Sequence, residues 1–324
     1  RVTSPLVDLR ALRAFLVAHA VAGLDEVEVL ADGSSRHRRL VPLRGGHGVL
    51  TVTLPAGDVG IPGVHADGDP DAVPPAVAAG RRWVGLDADP SAGATALADD
   101  PRLGPLVAAR PHLRVPGSTD AFETAVTVVL GQHVSLAAGR LFAARLVAAH
   151  APPTRLGALC SFPNPETLAA LDPAALRRTV GITGGRARTV VAVARAVTDG
   201  THDLTPTTDG GLRTTTRAAL LALPGVGPWT ADLVALRALR DPDVVLPGDL
   251  VLRKALGGVT AREAAAAAEA WSPHRSLAVL HLWTHHAIDP RPAGRADVRR
   301  TQGGQWPGAP LPRRGDRPAH PEAG

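Results

Sequence analysis

The sequence predicts an α+β protein, a small N-terminal mixed α/β sheet domain followed by an all-α helical domain. Three observations carry that prediction. Strand-like runs at 26–30, 36–43 and 49–54 are confined to the first third of the chain. From Ser118 to His286 the apolar residues instead recur at helical spacing between capping signals. Residues 289–324 are Pro-, Gly- and Arg-rich with little to bury, and are expected to be disordered. The boundaries drawn are therefore 1–115, 116–288 and 289–324, in keeping with the roughly two domains that 324 residues suggest.

Taken in order, Asp8 caps a helix that runs to about residue 22. The three strands follow, with Gly45-Gly46 as a turn. The stretch 74–80 is too short to assign, and 81–86 reads as another strand. Helices at 91–98 and 103–109 are interrupted by Gly93, Gly104 and Pro105. No catalytic constellation is visible in this part, which reads as structural.

Beyond it, Asp120 with Glu123 spells a capping box, opening a helix to about Gly131. A second helix spans 134–150, and Asp172-Pro173 caps a third that ends near Gly181. An Arg-studded helix at 185–198 closes at Gly200, and helices at 260–271 and 276–286 complete the set. Short helices with short connections make a compact bundle.

The chemistry concentrates in 223–256, LPGVGPWTADLVALRALRDPDVVLPGDLVLRKAL. An apolar helical run ends at Pro224-Gly225-Val226-Gly227, where the glycines permit backbone angles that branched residues resist. Pro228 suits a first helical position, so the helix through about Leu239 points its free N–H groups at the hairpin. Such an end attracts a phosphate, although Pro-Gly pairs also make ordinary helix connections. Asp249 follows Pro247-Gly248 and precedes another helical pattern. It reads most simply as an N-cap, a role compatible with catalysis because a capping carboxylate is held rigidly.

LPGVGPWTA followed by LPGD resembles the helix-hairpin-helix DNA glycosylases. Two further stretches narrow the resemblance. They are Phe122-Glu123 through Gly131-Gln132-His133-Val134-Ser135, and Trp271-Ser272-Pro273 through Arg275-Ser276 to His281-Leu282-Trp283. Together they resemble the bacterial DNA-3-methyladenine glycosylase II (AlkA-type) branch, from about Val2 to about Pro290 and most strongly from Pro116 onward.

The resemblance implies that Gly225, Val226, Gly227 and Thr230 grip the DNA backbone. It also implies that Asp249 stabilises positive charge developing on the deoxyribose and that Trp229, Trp283 and Leu233 line the base pocket. Electron-rich indole faces attract a base carrying positive charge. Trp229 stands where strand-cutting relatives carry a Schiff-base lysine, and the chain's single lysine is Lys254. That implies a monofunctional enzyme that flips out alkylated purines and leaves an abasic site. The alternatives are deaminated or oxidised purines as substrates, or a non-catalytic DNA-binding module.

Gln132 and His133 fall at the intercalating wedge, with His133 in place of the usual leucine, and Leu233 stands where an aromatic can occur. No organic cofactor is implied. The carbonyls of Leu221, Leu223 and Val226 are the implied ligands of a structural Na+ or K+. Partners and setting follow from the same resemblance: damaged double-stranded DNA, no membrane, a monomer, and a cytoplasmic, nucleoid-associated location.

Composition excludes several classes. The single cysteine, Cys160, rules out an internal disulfide framework, an iron–sulfur cluster and a four-cysteine zinc site, and reads as a core residue. His281, His285 and His286 have no carboxylate or cysteine at ligand spacing and read as a partly buried helix face. No run approaches membrane-span length and no signal-peptide pattern opens the chain. The net charge of +5 says little about nucleic acid, since seven arginines against four acids from Asp289 onward supply three of those charges.

Overall fold

The computed structural model describes residues 6–288 apart from 44–45, 69 and 153–154. The expected disordered tail and the Gly45 half of the expected turn lie outside the described residues. The first elements are β1 (Val7–Asp8), α1 (Leu9–His19), β2 (Asp25–Val29), β3 (Ser35–Leu43), β4 (Gly46–Leu54), β5 (Val59–Gly60) and β6 (Gly63–Gly68). An antiparallel four-stranded sheet has the order β2-β3-β4-β6, while β1 pairs with β5. Asp8 caps α1 as expected, its Oδ1 accepting the Ala11 N–H at 2.8 Å.

The strand expected at 81–86 is instead the end of a helix, α2 (Val73–Trp83), and the turn that follows it. Ala76, Ala79, Gly80 and Trp83 form its buried face, and a β-carbon on Gly80 would lie 2.5 Å from Leu50 Cδ1. Glycine there lets the helix lie flat on the sheet, a tertiary demand that overrides its weak helix propensity.

The remaining elements are α3 (Ser91–Leu97), α4 (Gly104–Ala109), α5 (Ala121–Leu130), α6 (Leu136–His150), the ribbon β7 (Arg155–Leu156) and β8 (Leu159–Cys160), α7 (Pro165–Ala169), α8 (Pro173–Val180), α9 (Gly184–Thr198), α10 (Gly210–Ala222), α11 (Pro228–Arg237), α12 (Leu250–Ala255), α13 (Ala261–Ala268) and α14 (Arg275–Ile288). Most begin at a side-chain cap: Ser135, Asn164, Asp172, Thr183, Asp209, Asp249 and Thr260 each accept a backbone N–H of the first turn.

The helices enclose two cores. One gathers Val126, Val129, Leu146, Leu176, Val190 and Leu220. The other gathers Leu97, Leu103, Val107, Leu252, Trp271 and Leu282. Thus α3 and α4 pack with α14, although they precede the boundary drawn at residue 115. Helix α11 is shared between the cores, giving Ala231 and Val234 to one and Ala235 and Leu236 to the other, and just beyond its end Ala238 and Leu239 divide in the same way. It is therefore held on two sides. A third core lies between the sheet and helices α1 and α2.

The expected capping box at α5 is only half formed. Asp120 Oδ1 accepts the Glu123 N–H at 2.7 Å. The Glu123 side chain, however, accepts a 2.7 Å bond from the Arg39 guanidinium on β3 rather than turning back to its own helix. Arg39 is 5% exposed, and a buried cation next to a carboxylate captures it more strongly than a neutral backbone N–H. A complete capping box occurs instead at Thr260 and Glu263.

Candidate active site

The site is built where the start of α12, the first turn of α11 and the middle of α14 meet. Asp249 caps α12, its Oδ1 accepting the Leu252 N–H at 2.8 Å. Oδ1 also accepts the indole N–H of Trp283, on α14, at 2.9 Å. Oδ2 accepts the indole N–H of Trp229, on the first turn of α11, at 3.3 Å. Two tryptophans 54 positions apart in sequence are thus aimed at opposite oxygens of one carboxylate. A carboxylate offers about four acceptor positions, so Oδ2, with one long bond, keeps room for a further donor.

Trp229 and Leu233 lie one helical turn apart on α11, and Trp283 joins them at the edge of the second helical core. All three, like Asp249, are half-buried. The structure therefore assembles Asp249, Trp229, Leu233 and Trp283 in one place. An unanticipated member is Arg237, a further turn along α11. Its guanidinium lies 5.7 Å from the Trp283 ring centroid and 4.6 Å from that of Phe15 on α1. One side of Trp283 is thus occupied by a cation. The i, i+4, i+8 spacing of Trp229, Leu233 and Arg237 was the sequence signal that placed it on this face.

The hairpin between α10 and α11 departs from expectation in its glycines. Gly225 has a φ of +82°, but Gly227 is extended at −96°, a conformation open to any residue. A β-carbon on Gly227 would meet nothing within 4 Å. What Gly227 provides is an unobstructed approach to the start of α11, whose first N–H groups have no side-chain cap. Val226 is buried, anchoring the turn through its side chain.

The Thr230 side chain faces inward. It is 4% exposed and its hydroxyl accepts the Gln132 Nε2 donor at 2.9 Å. The same Gln132 amide also donates to the Gly225 carbonyl at 2.9 Å. Gln132 fastens the α5–α6 loop to the hairpin, a polar pairing that sequence spacing alone does not show. His133, its neighbour, is exposed with a φ of +52°. Arg186 on α9 donates to the Gln132 carbonyl and stabilises the same loop. A groove of about 480 Å³ opens there, lined by Gln132, His133, Arg186, Arg188, Thr189 and Gly225 among others. A second, of about 440 Å³, lies between α2, α5 and the end of α9. Neither is lined by Asp249 or the two tryptophans.

The Leu223 carbonyl accepts the Val226 N–H at 3.1 Å, which tightens the turn and leaves one lone pair of that oxygen. Among the described residues no group of three His, Cys, Asp or Glu side chains could hold a metal ion. His281 is fully buried rather than partly so, and burial with the nearby Arg110 lowers its pKa to about 4. Cys160 is a buried free thiol, as expected. No helix of the described residues is long and apolar enough to cross a membrane.

Comparison with known proteins places this geometry. Residues 2–120 match the AlkA N-terminal domain family. The chain is 41% identical over 276 residues to a probable bifunctional transcriptional activator/DNA repair enzyme AlkA of Mycobacterium tuberculosis (strain H37Rv), covering 83% of this chain and 53% of that protein. It is 40% identical over 185 residues to DNA-3-methyladenine glycosylase 2 of Escherichia coli (strain K12), covering 56% of this chain and 63% of that protein. The chain thus spans between half and two thirds of the length of these relatives. Its fold is shared with a 3-methyladenine DNA-glycosylase from Archaeoglobus fulgidus, at a TM-score of 0.70 and 19% identity, over 89% of this chain and 97% of that one. Over the aligned residues the chain is accordingly homologous to an AlkA-type DNA repair protein and to a DNA-3-methyladenine glycosylase 2, and its residues 2–120 match the AlkA N-terminal domain.

Proposed function

We propose that the protein is a monofunctional DNA glycosylase that extrudes alkylated purines from double-stranded DNA and hydrolyses the base–sugar bond, leaving an abasic site. The observation that carries this reading is the convergence of the Trp229 and Trp283 indoles on Asp249. An extruded base needs flat walls on which to stack. A base methylated on a ring nitrogen is cationic and already a good leaving group, so the enzyme needs one fixed negative charge rather than an acid–base pair. Asp249 supplies it, rigidly oriented by three donors, where positive charge develops on the deoxyribose. The less-engaged Oδ2 is the oxygen best placed to meet the sugar or to orient water.

Backbone N–H groups at the Gly227 end of α11 hold a phosphate, and His133 fills the space left by the extruded base. The N–H groups position the DNA without reading its sequence. The hairpin carbonyls of Leu221, Leu223 and Val226 hold a monovalent cation that stiffens this grip. The protein works as a monomer beside DNA in the cytoplasm.

The deciding experiment incubates the protein with methylated DNA and measures released 3-methyladenine and 7-methylguanine. Loss of release in Asp249→Asn, with duplex binding retained, supports the assignment. Full release by that variant removes Asp249 from the mechanism, and strand cleavage without added base or heat overturns the monofunctional reading.

A further inference from the structure

The cation behind Trp283 has a consequence for which bases the site accepts. Arg237 lies between the rings of Phe15 and Trp283. Its Nη1 donates to the Pro116 carbonyl at 2.8 Å. Among the described residues no carboxylate forms an ion pair with it. Burial, and then the charge of Arg240, lower its pKa. An arginine nevertheless stays protonated at neutral pH. Holding a charge without a carboxylate partner at a half-buried position has a desolvation cost, and an uncharged side chain of similar length would fill the space between two rings as well. The charge itself is the feature that packing does not explain.

We propose that Arg237 sets the charge selectivity of the base pocket: its fixed positive charge behind the Trp283 indole weakens the hold on cationic bases relative to neutral ones. The inference rests on Trp283 being a wall of that pocket. Two effects act in the same direction. A cation on one face draws the π electrons of the indole toward itself, leaving the opposite face less attractive to a second cation. The guanidinium also repels a positive base directly through the ring. With the ring between them the two charges lie about 10 Å apart, which at an effective dielectric near 20 corresponds to roughly tenfold in affinity. A neutral purine stacks on the same face without that penalty. The pocket therefore accepts a broader range of bases than two bare indoles would.

The test compares wild type with Arg237→Met and Arg237→Lys on two duplexes, one carrying 7-methylguanine, which is cationic, and one carrying hypoxanthine, which is neutral. The readout is the ratio of kcat/KM for the two bases, which is insensitive to the fraction of folded enzyme. Arg237→Met is expected to raise the ratio in favour of 7-methylguanine by about tenfold, and Arg237→Lys to leave it within about twofold of wild type. If Arg237→Met does not fold, Arg237→Gln, whose amide can still donate to Pro116, serves the same comparison.

A second measurement is independent of catalysis. Quenching of tryptophan fluorescence by 1-methyladenosine, a cationic nucleoside, and by inosine, a neutral one, gives the corresponding ratio of dissociation constants. If wild type releases neither base from DNA, the glycosylase reading fails while this ratio still decides the role of Arg237. Equal losses for both bases with an unchanged ratio would reduce Arg237 to a packing residue, and a shift toward the neutral base would reverse the proposal.

Discussion

Gly225 and Thr189 are packed so closely that a β-carbon on the glycine would lie 2.1 Å from the threonine Oγ1. The Thr189 hydroxyl in turn donates to the Pro224 carbonyl at 2.8 Å. The hairpin is therefore docked on the middle of α9, and the position of the grip is set by this contact as much as by the turn itself.

The two hairpin glycines should consequently respond differently to substitution. Gly225→Ala combines a left-handed φ with a clash against the short, hydrogen-bonded Thr189 side chain, and is expected to destabilise the protein by about 2–4 kcal/mol, measured by urea unfolding. Gly227→Val, in open space and extended conformation, should leave stability within about 0.5 kcal/mol while weakening duplex binding irrespective of lesion or sequence. Equal behaviour of the two variants in both assays would contradict this division.

The two tryptophans should also be separable. Trp283→Phe keeps an aromatic wall but removes the 2.9 Å bond to Asp249. A hydrogen bond to a charged group is worth about 1.5–3 kcal/mol, so kcat should fall at least tenfold with a smaller change in KM. Trp229→Phe removes the longer bond of 3.3 Å and should cost less. An effect confined to KM in both variants would assign the indoles to stacking alone.

Acid should unfold the protein through its buried histidines. Burial lowers the pKa of His281 and His37 from the ordinary 6.5 to about 4 each. The unfolded chain takes up these protons as pH falls below 6.5, while the folded protein resists until about pH 4. Stability is thus fully present above pH 6.5 and is lost progressively toward pH 4, because there the unfolded state binds more protons. His281→Asn and His37→Asn, compared with wild type at neutral and mildly acidic pH, should each shrink the acid-induced loss. An unchanged pH slope in both would mean that other groups control it.

The sheet and the helices are joined through Arg39. Its guanidinium donates to Glu123 at 2.7 Å and to Thr119 at 2.9 Å, and lies 3.6 Å from Asp25. Arg39→Met leaves two largely buried carboxylates without their cation and should cost about 3 kcal/mol of stability. The additional replacement Glu123→Gln should recover part of that loss in a double-mutant cycle, whereas simple additivity would show the pair to be uncoupled.

The sequence by itself determined whatever depends on short-range chemistry. The caps at Asp8, Asp120, Asp172 and Asp249, the three long strands and most helices were legible because each rests on residues a few positions apart. The LPGVGPW and LPGD segments likewise marked where the hairpin and Asp249 would fall. Tertiary structure decided what depends on neighbours distant in the chain. It made 81–83 helical, because Gly80 must meet Leu50. It drew Glu123 away from its own helix to Arg39, turned Gln132 inward to the hairpin, and left Gly225 alone of the two hairpin glycines needing glycine's backbone freedom. It also put Arg237 behind Trp283 and both indoles on Asp249. Periodicity records which face a residue occupies, but not which partner waits there, because partner choice is settled by the packing of helices that the sequence lists far apart.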